Sequence, residues 1–150
     1  MDGGKFLFQL LKIVFGFICG LLASGLFLAW GLFRAAHPEQ DPVAFATMVG
    51  TGLVGASVIG AASLVPASIL IGVAELARLR GLVFHVAAGG GIAFLLWTLG
   101  APQEAGNIRP GSVVVLAAGF FAGAVYWLIA GRTSGSWRND ALPGPDGNPD

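Results

Sequence analysis

The chain has 150 residues, of which 55% are hydrophobic and 11% charged, with 8 basic and 8 acidic side chains and a formal net charge of +0. Soluble domains carry about 25% charged residues, so this charge complement cannot cover a water-soluble fold, and a mean hydropathy of +0.79 with 24 glycines points to lipid as the solvent. A neutral balance gives no footprint for nucleic acid, and the single cysteine, Cys19, excludes an internal disulfide and fits no metal motif.

The first element opens on KFLFQLLK, residues 5–12. At helical spacing Lys5, Gln9 and Lys12 share one face, while Phe6, Leu10 and Ile13 form another stripe, a pattern suited to entering the membrane along its interface. The charge-free run Ile13–Phe33 follows, 21 residues between Lys12 and Arg34. A membrane helix needs about 20 mainly apolar residues, whereas a secretory signal core has about 7–15. An uncleaved helix over residues 10–34 is the expectation.

The second run, Val43–Ala74, has 32 residues between Asp41 and Glu75. Continued straight to Arg80 it would reach about 57 Å, against a hydrocarbon core of about 30 Å. Pro66 lies inside it, so the spacing predicts a long helix over 44–79, kinked near Pro66, where proline cannot donate to the ladder. Gly81 is expected to end that helix and permit the reversal. A third helix over 82–100 and a fourth over 111–131 complete an all-α, antiparallel four-helix transmembrane domain spanning 1–131. The tail 132–150, rich in Gly, Pro, Asn and Asp, reads as disordered.

Four spans place both termini and the 78–81 turn on one side, with Lys5, Lys12, Arg78, Arg80, Arg132 and Arg138. Arg34 and Arg109 fall on the other. Basic residues concentrate on the cytoplasmic side, so both termini are expected in the cytoplasm, and the membrane is expected to be the inner membrane of a bacterium. Trp30 and Trp97 near the outer ends, with Tyr126 and Trp127 near the inner end, fit an interfacial aromatic belt.

Lipid offers helices little hydrophobic drive to associate, so close approach through small residues replaces it. Gly16, Gly20 and Ser24 form such a ridge on the first span, Gly52, Ala56 and Gly60 on the second, and Gly119 and Gly123 on the fourth, while Gly89, Gly90 and Gly91 stand together on the third. These ridges either close the bundle or meet other membrane helices, of a second copy or of a larger complex.

Chemistry at membrane depth normally leaves ionisable residues there, and the centre of each span carries none. The available hydroxyls are Ser24, Thr51, Ser57, Ser63, Ser68, Thr98 and Ser112, which ordinarily bond back to the preceding turn. The first span lacks the carboxylate a small multidrug-type exporter requires. His37 and His85 fall on opposite sides and cannot share a haem, and no metal, phosphate-loop or nucleophile motif occurs. No cofactor is expected. One polar pair stands out: Glu75 and His85 lie on either side of Gly81 and are expected at similar depth, within hydrogen-bonding reach. The expected function is that of a non-catalytic membrane protein acting through helix contacts, as an accessory subunit or a homo-oligomer, with a small channel or transporter as the alternative.

Overall fold

A computed structural model describes residues 3–33, 39, 41–100 and 112–136. The described chain is helical: α1 (Gly3–Phe33), α2 (Pro42–Ala77), α3 (Leu82–Leu99), α4 (Ser112–Ile129) and a single 3₁₀ turn at Gly131–Thr133. All four α-helices are long and apolar enough to cross a membrane, with mean hydropathies from 1.8 to 2.2 in their most apolar windows. At 1.5 Å per residue α3 and α4 extend about 27 Å each, close to the hydrocarbon thickness. Helices α1 and α2 exceed it, at about 46 and 54 Å.

The helix ends follow from local chemistry. Asp41 precedes α2 and its Oδ1 accepts from the Ala44 backbone N–H at 2.9 Å, with Pro42 occupying the first helical position. Helix α2 then continues through Pro66 without interruption. It ends at Arg78 rather than at Gly81. Arg78 adopts a left-handed conformation (φ 55°, ψ 39°), and its N–H and that of Leu79 both return to the Ala74 carbonyl. Gly81 is extended (φ −69°, ψ 134°) and precedes α3, a conformation open to any residue. Glycine's freedom was therefore a misleading signal: the chain turns on a non-glycine residue three positions earlier.

Helix α1 packs against both α2 and α4, and α4 packs against α3, whereas α2 and α3 scarcely touch along their lengths. The interfaces are built on small residues. A Cβ at Gly20 would stand 3.1 Å from the Ala122 carbonyl oxygen, and one at Gly16 would stand 3.3 Å from Tyr126 and Ala130 side-chain atoms. Gly52 lies against Gly25 and Leu26, and Ala56 against Gly25. Gly89 and Gly119 face each other, and Gly123 sits on the His85 carbonyl. Ser24 is buried and donates to the Leu21 carbonyl at 3.1 Å. Gly60 meets the end of the Leu21 side chain. Apart from Gly91, which has open space around it, the small-residue positions read from the sequence are thus turned inward and close the bundle.

Large apolar side chains cover the outside, among them Val54, Val65, Val83, Leu99 and Val113. In lipid this exposure carries no penalty. Helix α1 begins at Gly3, a full two turns before the expected start. Residues 131–136 are ordered beneath the bundle rather than part of a free tail, while 137–150, His37, and most of the loops at 34–42 and 100–110 lie outside the described residues.

Candidate functional site

The polar residues converge at the end where α1 starts, α2 ends and α4 ends. Glu75 lies in the last turn of α2 and is only 8% exposed. A carboxylate near a helix C-terminus is disfavoured by the helix dipole, by about 0.3–1 kcal/mol at exposed sites, and its burial adds a desolvation cost. Two donors offset this. Gln9 Nε2 donates to Oε1 at 2.7 Å, and the Gly135 backbone N–H donates to Oε2 at 2.7 Å. Both are short, as bonds to a carboxylate are when well aligned.

Gln9 is itself 3% exposed. Its Oε1 accepts from the Thr133 hydroxyl at 3.0 Å, which also reaches the Ala130 carbonyl at 3.0 Å. The helix face that carries Lys5, Gln9 and Lys12 is therefore not uniformly interfacial, because Gln9 is drawn inward to meet Glu75. A second set of bonds runs parallel. Arg80 Nε donates to the Ser134 carbonyl at 2.9 Å, and Trp127 Nε1 donates to the Arg80 carbonyl at 2.8 Å. The Arg132 guanidinium lies over the Trp127 ring at 5.8 Å. Together these contacts tie α1, α2, the α2–α3 turn, α4 and the 131–136 segment into one clamp.

The expected Glu75–His85 hydrogen bond does not form. His85 is buried, 5% exposed, and its Nδ1 lies 2.9 Å from the Gly81 carbonyl. A carbonyl only accepts, so Nδ1 donates to it, and Nε2 has no partner among the described residues. That nitrogen faces Gly131, where any Cβ would approach to 2.8 Å. The imidazole stacks on Tyr126, with ring centroids 5.7 Å apart and 28° between planes, and meets Phe84 edge-on. Tyr126 is accordingly packed inside rather than in the aromatic belt. His85 is instead held by the Gly81 carbonyl, and Glu75 by the Gln9 side chain and the Gly135 backbone N–H.

Gly135 carries a requirement of its own. It sits at φ +73°, and a Cβ there would stand 2.5 Å from Arg78 Cγ and 3.1 Å from the Glu75 carbonyl. Left-handed backbone costs a residue with a Cβ about 1–2 kcal/mol. Gly135→Ala is therefore expected to lower the thermal midpoint of the solubilised protein. An unchanged midpoint would show that the segment is not built into the fold.

Along the bundle beyond the clamp, the four helices enclose a cavity of about 320 Å³. Its walls are apolar apart from Ser24, Ser63, His85, Trp97 and Tyr126. Ser24 and Ser63 donate to Leu21 and Gly60 carbonyls in their own helix, and Trp97 Nε1 donates to Ser112 Oγ at 2.9 Å. Among the described residues there is no cluster of three or more His, Cys, Asp or Glu side chains placed to hold a metal. Comparison with protein-family models, curated proteins and solved structures finds no match for this chain.

Sequence reasoning missed Gln9, Thr133 and Gly135 as parts of the clamp. Gln9 carried a usable signal, being an uncharged amide among Phe6, Leu7, Phe8, Leu10 and Leu11, where an unpaired polar group would be costly. Gly135 carried none, because its role is a backbone N–H.

Proposed function

We propose that this chain is a small, non-catalytic integral membrane protein that acts by helix contact, as an accessory subunit of a membrane complex or as a homo-oligomer. Both termini face the cytoplasm of a bacterial cell and the four helices span its inner membrane. The observation that carries the reading is the outward face of α2. Val54, Val58, Val65 and Ile69 recur there at helical spacing, 61–68% exposed, and Gly50 and Gly72 on the same stripe have open space around them. A glycine inside a helix costs about 1 kcal/mol relative to alanine, and in a membrane that cost is offset where another helix approaches closely. The inward ridges are committed to the bundle, so this stripe is the surface left for a partner.

Two further features favour contact over transport. The bundle is lined mainly by apolar groups, its Ser24 and Ser63 hydroxyls are bonded to their own helices, and the buried carboxylate is engaged by two donors. Neither arrangement supplies a polar path. Purification in mild detergent is expected to yield either a stoichiometric partner or a defined homo-oligomer. A monomer that conducts ions or solutes after reconstitution would overturn the reading.

Orientation is tested separately. A reporter fused after Asp150 is expected to read cytoplasmic and one inserted near Gln103 external, from the six-to-two bias of basic residues. Both reporters on the same side would remove a span.

A further inference from the structure

The cavity between the helices has a shape as well as a volume. Its lining runs from Phe84 to Trp97 on α3 and from Phe17 to Leu28 on α1, about 17–20 Å along the helix axes at 1.5 Å per residue. It is an elongated, largely apolar slot.

Three of the helix pairs around it are already in close backbone contact. Backbone contacts at Gly20–Ala122, Gly25–Gly52 and Gly89–Gly119 already fix their spacing. Water is not drawn into it either, because an apolar cavity stays dry unless it offers a water several polar partners; the Ser24 and Ser63 hydroxyls are committed to their own helices, and the remaining acceptor, His85 Nε2, is packed against Gly131. An unfilled slot forfeits dispersion contacts along its whole wall. The occupant that restores them is long, apolar and flexible. Access is lateral, since α2 and α3 scarcely touch. At the end of that gap stands Arg80, exposed in the α2–α3 turn, its Nε engaged by the Ser134 carbonyl. A guanidinium at that level complements a phosphate.

We infer that the slot holds one acyl tail of a bilayer phospholipid, which enters between α2 and α3 with its phosphate near Arg80. The slot is distinct from the outward α2 stripe, and the inference stands whether or not that stripe binds a partner.

The test uses the full chain in detergent and two probes, a phosphatidylglycerol with a dibrominated tail and a free dibrominated fatty acid. Trp97 is the reporter, in a variant whose Trp30, Trp127 and Trp137 are replaced by Phe, and native mass spectrometry of the unmodified chain gives an independent count of bound lipid. Saturable quenching at one phospholipid per chain is expected. Ala67→Phe and Ser63→Leu, which fill the slot from α2, are each expected to weaken it at least tenfold with helicity retained; two variants guard against misfolding of one. Arg80→Gln is expected to weaken the phospholipid severalfold and leave the fatty acid unchanged. Quenching that tracks bulk lipid fraction, or that survives both filling variants, would overturn the slot as a binding site. Equal affinity for both probes in the unmodified chain, with no effect of Arg80→Gln, would overturn the phospholipid as its occupant.

Discussion

Gly123→Leu is expected to prevent stable assembly of the bundle, with a loss of about 3 kcal/mol or more. The Gly123 position faces the His85 carbonyl and Val86 Cα, both backbone, so an added side chain must push α3 and α4 apart along their shared length. Substitutions at other ridge positions are graded by what they would strike. Gly20→Leu meets the Ala122 carbonyl at 3.1 Å and is expected to cost nearly as much. Gly60→Leu meets a Leu21 methyl, the free end of a flexible side chain, and is expected to cost about 1 kcal/mol. Val58→Ala and Leu22→Ala trim side chains on outward faces rather than in the inner contacts of the bundle, so their effect on the stability of the single-chain bundle is expected below about 0.5 kcal/mol. Unfolding in a denaturing detergent, followed by circular dichroism and size exclusion, checks the order. Equal tolerance of Gly123→Leu and Val58→Ala would contradict packing through small residues.

The second large effect belongs to the clamp. Glu75→Leu leaves the Gln9 amide and the Gly135 N–H without an acceptor, and Gln9→Leu leaves Glu75 with one donor fewer. Each unpaired buried group costs about 1–3 kcal/mol, so each single change is expected to destabilise by about 2–3 kcal/mol. The double change removes both sides of the bond together and is expected to cost less than the sum, with a coupling of about 1–2 kcal/mol. Additive effects within about 0.3 kcal/mol would mean that the two side chains act independently.

Much of the architecture is legible from composition and run length. The four apolar runs predicted four helices in their observed order, and Leu82 was expected as the start of α3 and found there. Such features depend on the solvent preference of long segments, to which every residue contributes. What was not legible depends on single atoms. The left-handed turn at Arg78 follows from how α2 ends against the 131–136 segment, and no residue preference announces it. The partners of Glu75 lie 66 and 60 positions away along the chain. Gln9 was recognised as polar and placed on the interface because a helical face is judged by its average character, and Lys5 and Lys12 set that average. The glycine ridges were found by spacing, but spacing does not say which side of a helix a ridge will face. Gly25, one residue beyond Ser24, provides the closest backbone approach of α1 to α2, and it was passed over for the more regular series beside it.

The most direct measurement of the proposed contact function is a cysteine cross-linking scan along α2 in native membranes, from residue 50 to 72, with Cys19→Ser as background. Cross-links to a second copy or to another membrane protein are expected at Gly50, Val54, Val58, Val65, Ile69 and Gly72, with minima at the inward positions Ala56, Ser63 and Ala67, giving the 3.6-residue period of one helix face. Uniformly low cross-linking across the scan, with the chain recovered as a lone monomer, would contradict the account.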